Sequence, residues 1–156
     1  LQTRQSDSSR SKASWIGGAW EKDLYLHVDF PTNDRKDPRY TYVLLDEKKN
    51  VKTMVIMAVA EPLKGLPCFG IGYAVPEKHR GKGYAKKAVA AAFREFRSGI
   101  KNARVNDFYV EAIVGVENDP SNAVASATIS AERTEVVDSL SKTPCFRYEL
   151  KSSSIV

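Results

Sequence analysis

The amino-acid sequence predicts an α+β domain built on a mixed, mostly antiparallel sheet of about seven strands with helices packed against it. Three observations lead there. Four apolar, β-favouring segments lie in the first half of the chain, and three of them in succession suggest an antiparallel meander. Between Ala85 and Phe96 the apolar residues switch to helical spacing. One more strand, a short helix and a closing pair of strands follow, giving the order four strands, helix, strand, helix, two strands.

Each element has its own signal. In DLYLHVDF (Asp23 to Phe30) Leu24, Leu26, Val28 and Phe30 alternate with Tyr25, His27 and Asp29, the period of a strand, which stops at Pro31. The polar, proline-bearing TNDRKDP (Thr32 to Pro38) is a loop, and RYTYVLLDE (Arg39 to Glu47) is the second strand, closed by the turn KKN. Val51 to Pro62 and Cys68 to Val75 are apolar enough to lie centrally in a sheet. The helix that follows buries Ala85, Ala88, Val89, Ala92, Phe93 and Phe96, turns Lys86, Lys87, Arg94 and Arg97 outward, and has Gly99 as its expected C-cap. Asp107 to Val116 is a strand, and Asn118 to Ala131 a helix that Ser121 is placed to cap. RTEVVDSL and CFRYEL form the closing strands, and there is no internal repeat.

At 156 residues, 42% hydrophobic and 28% charged, the chain suits one core, with residues 15–156 as a single domain. Residues 1–14, LQTRQSDSSRSKAS, lack aromatic and branched apolar residues apart from Leu1 and are expected to form a mobile tail. No apolar run approaches the roughly 20 residues that span a bilayer, so no membrane partner is expected. Cys68 and Cys145 stand far apart and outside any CxxC spacing, which suggests neither a disulfide framework nor a metal site and fits a reducing, cytoplasmic setting. His27 has no His, Cys or carboxylate at ligand spacing, so no metal is expected there either. The net charge of +5 favours anionic partners.

The chemistry concentrates in AVPEKHRGKGYAKKA (Ala74 to Ala88), where a strand passes through two glycines among cations into a helix. A helix N-terminus offers unpaired amides and about half a positive charge. Gly81 and Gly83 would let the backbone approach a phosphate, with Arg80 and Lys82 adding charge. The stretch does not match the P-loop pattern, and GIGYAV carries Val75 where a dinucleotide fingerprint needs its third glycine. Arg80-Gly81-Lys82-Gly83-Tyr84-Ala85 does match the acyl-coenzyme A signature R/Q-x-x-G-x-G/A, with a strand ending YAVPE before it and an amphipathic helix after it. In this context Tyr40 to about Leu150 resembles the GNAT superfamily of N-acetyltransferases, nearest the branch with the ribosomal-protein N-terminal acetyltransferases. EAIVGVENDPSNAVA adds an Asn-x-x-Ser element, Asn118 and Ser121, that is frequent in that family.

The resemblance implies α/β/α layering, two splayed central strands and acetyl-coenzyme A as co-substrate without a metal. It implies that Ala74 and Val75 hold the pantetheine arm, that Arg80, Gly81, Lys82, Gly83, Tyr84 and Ala85 hold the pyrophosphate, and that Asn118 and Ser121 lie near the far part of the arm. The reaction implied is transfer of an acetyl group to a primary amine of a small molecule or protein. Glu111, charged and mid-strand, is the candidate general base, since burial without a partner favours the neutral acid and raises the pKa. Glu61 is the other carboxylate considered, and Ser121 would hydrogen-bond the departing sulfur. The chain departs from the family pattern in three places. Ala125 stands where many members carry a Tyr acid, which leaves Ser121, Tyr109 or Tyr148 to substitute. The Gly-Phe pair after the second helix is absent, and the N-terminal helices that build the acceptor site are reduced or missing. The acceptor pocket would then be open, completed by a partner subunit in a homodimer, or built by the Thr32 to Pro38 loop. Two other readings use the same residues: an acyl-coenzyme A-binding module without transfer, and a nucleic-acid-binding domain with Tyr40, Tyr42 and Phe108 as stacking residues. Against the last, the basic residues are not interleaved with aromatics.

Overall fold

The computed structural model describes residues 15–155, and the expected tail, residues 1–14, lies outside them. The strands are β1 (Ile16–Gly17), β2 (Leu24–Asp29), β3 (Arg39–Leu45), β4 (Val51–Leu63), β5 (Leu66–Ala74), β6 (Tyr109–Gly115), β7 (Thr134–Val137) and β8 (Pro144–Lys151). Two α-helices, α1 (Tyr84–Ile100) and α2 (Asp119–Thr128), interrupt them. One sheet runs in the order β1-β2-β3-β4-β5-β6-β8-β7. The seven expected strands are all there. The eighth, β1, pairs Ile16 with Leu26 and is too short to show a period.

Every pairing is antiparallel except that of β5 with β6, which are joined through the α1 crossover. Those two strands pair only at Cys68–Tyr109, Phe69–Val110 and Gly70–Glu111. Beyond that point β5 continues to Ala74 and β6 to Gly115 with no ladder between them, so the middle of the sheet opens into a V.

Strand alternation sorts the side chains onto two faces. Tyr42, Leu44, Val55, Met57, Phe69, Val110, Ala112 and Tyr148 face the helices and join one core with the buried positions of α1, Ala88, Val89, Ala91, Ala92, Phe93, Phe96 and Ile100. Phe96 is its centre: it meets Phe69 edge-on at 4.8 Å, Tyr40 at 5.0 Å and Phe108 at 5.4 Å between ring centroids. These arrangements suit the aromatic quadrupole. Ala125 of α2 is buried in the same cluster, so both helices cover one face of the sheet. Among the described residues no helix covers the other face, called the bare face below. It carries Met54 and Ile56 half-buried and Ile113 45% exposed, beside the ion pairs Asp29–Arg39, Glu111–Arg147 and Glu149–Lys64.

Three local expectations change. Gly99 does not cap α1, because Ile100 is buried and holds the helix one residue further; a 3-10 turn over Lys101–Ala103 follows, and Arg104, at φ 61°, takes the left-handed position. Ser121 does not cap α2, because Asn118 does: its Oδ1 accepts the Ser121 amide at 3.2 Å, with Pro120 in the first turn. Arg97 does not simply face solvent, since its guanidinium donates to the carbonyl of Ile155 and ties the end of the described chain to α1. Among the described residues no helix is long and apolar enough to cross a membrane.

Candidate active site

The V between β5 and β6 opens into a cleft of about 740 Å³. One wall is the end of β5 with Tyr73, Ala74 and Val75; the floor is the loop and first turn of α1; the far wall is Asn118, Pro120, Ser121, Ala123 and Val124 of α2. Of the residues singled out for binding, Ala74, Val75, Arg80, Gly81, Gly83, Tyr84, Ala85, Asn118 and Ser121 all line this one cleft. Residues up to 47 positions apart in sequence meet because parallel pairing brings the ends of β5 and β6, and the helices that follow them, side by side. Lys82 is exposed and is not part of the wall.

The turn into α1 has the backbone features that an anion site uses. Gly83 is the N-cap of α1 at φ 77°, and no side chain caps the helix, so the amides of its first turn have no intrahelical partner. The first helical bond runs from the Lys87 amide to the Gly83 carbonyl at 3.2 Å. Gly81 also lies at positive φ, 75°, and a Cβ built at either glycine would have no neighbour within 4 Å, which leaves both backbones open to the cleft. Arg80 is pinned beside them, its Nε donating to the Val75 carbonyl at 3.1 Å. The Tyr84 ring meets the His79 ring edge-on at 5.7 Å and lies under the Lys52 ammonium at 4.8 Å. Lys87 points away and pairs with Glu21 at 3.3 Å.

The α2 wall is held by a buried polar network. Asn122, 8% exposed, donates its amide hydrogens to the carbonyls of Gly115 and Asn118, both at 2.9 Å. Its Oδ1 accepts the Tyr148 hydroxyl at 2.7 Å, and Arg133 donates to that hydroxyl at 3.3 Å while lying on the Phe146 ring. Every polar atom of the Asn122 side chain is thereby used, and the first turn of α2 is anchored to β6 and β8.

Glu111 is not in the cleft. It lies on the bare face at the point where the V begins, directly opposite Glu149 across β6 and β8, with Oε2 3.5 Å from Arg147 Nε. The expected unpaired burial is therefore replaced by an ion pair. Cys68, buried on the same face, has its thiol pushed up to about 12 by burial and by the charges of Glu111 and Glu149. Glu61 is exposed near the end of β4. The loop 32–38 leaves the sheet at the level of Glu111, since Arg39, Ala58, Gly70 and Glu111 are in register across four strands, but three strands away from it. Tyr109 faces the bare side under Lys64, and Tyr148 is fully buried with its hydroxyl engaged. Tyr42 and Phe108 are core residues and Tyr40 packs on Phe96, so none forms an exposed stacking platform.

Sequence reasoning missed Tyr73. Its side chain reaches across the V and donates its hydroxyl to the Ser121 carbonyl at 2.5 Å, bridging β5 to α2. Burial, with the Tyr148 hydroxyl nearby, pushes the phenol up to about 12. The signal was present in the alternation of CFGIGYA, which puts Tyr73 with Phe69 and Ile71 on the helix-bearing face.

No family model and no curated protein matches this sequence. Solved structures do. A chimera of the spermidine N-acetyltransferase SpeG from Vibrio cholerae and hSSAT superposes with a TM-score of 0.56 at 17% identity, over 75% of this chain and 69% of that one. The ribosomal-protein-S5-alanine acetyltransferase from Vibrio fischeri gives 0.55 at 14% identity over 76% of this chain, which spans 64% of that protein's length. A point mutant of Vibrio cholerae SpeG gives 0.53 at 16% identity, over 80% and 69%. The chain has the fold of the GNAT N-acetyltransferases, with its open mixed sheet.

Proposed function

We propose that this chain is an acetyl-coenzyme A-dependent N-acetyltransferase acting on a primary amine of a small molecule or protein. The observation that carries the reading is the convergence, in one cleft, of two glycines at positive φ, an uncapped helix N-terminus and a broken β-ladder. The first suits a pyrophosphate, which needs close backbone approach and aligned amides. The last suits a pantetheine arm, an extended chain with amide groups that can take the place of the missing strand pairing. In this reading the amides from Gly81 to Ala85 hold the pyrophosphate, Arg80 and Lys82 add charge, and Ala74 and Val75 bind the arm. Asn118 and Ser121 face its far end.

Acetyl-coenzyme A would supply the activated acyl group. The amine then approaches from the bare face, where Glu111 stands at the base of the V. Glu111, directly or through water, takes the proton that the attacking nitrogen must lose, and Arg147 positions the carboxylate. A backbone amide near Val75 polarises the carbonyl. Two buried free thiols suit a reducing compartment, and we place the protein in the cytoplasm.

A second reading, acyl-coenzyme A binding without transfer, is favoured by the ion pair that occupies Glu111 and by Ala125 in place of an acid. Incubation with acetyl-coenzyme A and a panel of primary amines, following free thiol, separates the two. Thiol release that depends on an amine supports transfer; tight binding with no turnover on any amine leaves the binding module, and no binding removes both.

A further inference from the structure

We propose that Tyr73 is a catalytic residue, the proton donor to the sulfur that leaves when the thioester is cleaved. The proposal rests on the acetyl-coenzyme A reading of the cleft.

Four features of the structure carry it. Tyr73 stands on the unpaired part of β5, inside the V, so its phenol borders the only gap through which an extended arm can pass between β5 and β6 among the described residues. Its hydroxyl proton is already directed across that gap, into the Ser121 carbonyl at 2.5 Å. That carbonyl lies in the first turn of α2 and has the Ala125 amide as its helical partner, so redirecting the Tyr73 proton orphans no backbone group. The other buried tyrosine hydroxyl in the neighbourhood, Tyr148, is committed to Asn122 and cannot turn without breaking the network that anchors α2.

The proton balance closes. The amine lone pair forms the C–N bond, the C–S bond breaks, and its electron pair goes to sulfur. Tyr73 gives its proton to that sulfur and is reprotonated from the solvent that has received the proton of the amine. Burial keeps the phenol protonated across the range in which an amine is a nucleophile, so it enters each turnover as a donor. An aromatic hydroxyl gives up a proton more readily than the Ser121 hydroxyl, which leaves Ser121 a hydrogen-bonding contact.

The test compares coenzyme A with its desulfo analogue, which needs no acceptor amine. Binding of both at pH 9.5, where a free thiol is mostly thiolate and the phenol is still protonated, is measured by calorimetry for the wild type and for Tyr73→Phe, which removes only the hydroxyl. Thermal melting checks that the variant is folded. The expected result is that the wild type prefers coenzyme A by about tenfold, the size of one hydrogen bond to a charged group. In Tyr73→Phe the preference falls below about twofold while affinity for the desulfo analogue is kept. A preference retained by the variant, or absent from the wild type, overturns the proposal. If the wild type binds neither compound, the cofactor reading itself is wrong and the proposal falls with it. Where an amine substrate is in hand, Tyr73→Phe should lower kcat by roughly 100-fold with little change in KM for acetyl-coenzyme A.

Discussion

Single residues in the cleft divide into those that shape backbone and those that carry charge. Gly83 belongs to the first group, at φ 77° with open space where a Cβ would stand. Gly83→Ala should cost about 1–2 kcal/mol of stability from the left-handed backbone alone. Gly83→Glu should abolish coenzyme A binding while the far-ultraviolet spectrum stays native, because the added carboxylate would stand where the proposed site takes the phosphates. Binding that survived Gly83→Glu would move the cofactor elsewhere. Glu111 belongs to the second group. Glu111→Gln should lower kcat by at least about 100-fold and leave coenzyme A affinity unchanged, since the side chain is on the opposite face from the turn into α1. An equal loss of affinity would show that the residue matters to the fold rather than to the proton.

At the scale of elements, the position of α2 decides whether the cleft exists. Its N-terminus is fixed by Asn118, which caps it, and by Asn122, which joins it to Gly115 and Tyr148. Asn118→Ala should destabilise by about 1 kcal/mol, the usual cost of a lost cap. Asn122→Ala should cost about 2–3 kcal/mol, because buried carbonyls and the Tyr148 hydroxyl lose partners. At this chain length that is a fall of roughly 5–10 °C in melting temperature. Coenzyme A affinity should drop with it, as the far wall of the cleft loosens. The elements themselves were legible, because strand alternation and the period of α1 are local properties written in consecutive residues. The caps carry more than one local signal. Asn118 and Ser121 are both good capping residues, and Pro120 between them fixes the start of α2 at Asp119, which leaves Asn118 at the cap. Gly99 carried a C-cap signal that the burial of Ile100 overrode.

For the whole molecule, acid stability and salt dependence follow from the charges. Asp29, Asp34, Asp46 and Asp138 are all held below the ordinary carboxylate value, Asp29 chiefly by its hydrogen bonds from Arg39 and the other three by hydrogen bonds within their own turns. A group with a depressed folded value stabilises above its unfolded value and loses that contribution as pH falls through the folded one. The melting temperature should therefore change little from these groups down to about pH 4 and decline below it, with a shallower decline in Asp29→Asn. A chain of net charge +5 with Arg80 and Lys86 at the cleft should bind coenzyme A more weakly as salt is raised, several-fold between dilute and half-molar salt. Affinity independent of salt would place the phosphates away from these cations.

The sequence by itself determined the order of the strands and helices and the two-glycine turn that opens α1. Both depend on neighbours along the chain: alternation, periodicity, and two glycines at the start of a helix. The tertiary structure alone decided which side chains face the cleft. Alternation assigns Glu111 and Tyr73 each to one side of its own strand, but it does not say which side the helices cover or what each side chain meets there. Strand parity sends Glu111 to the bare face, where Arg147 meets it, and Tyr73 to the helix-bearing face, where Ser121 meets it. Those partners lie 36 and 48 residues away in sequence. The V that separates β5 from β6 is likewise an absence of pairing between distant strands, and no residue within either strand records it.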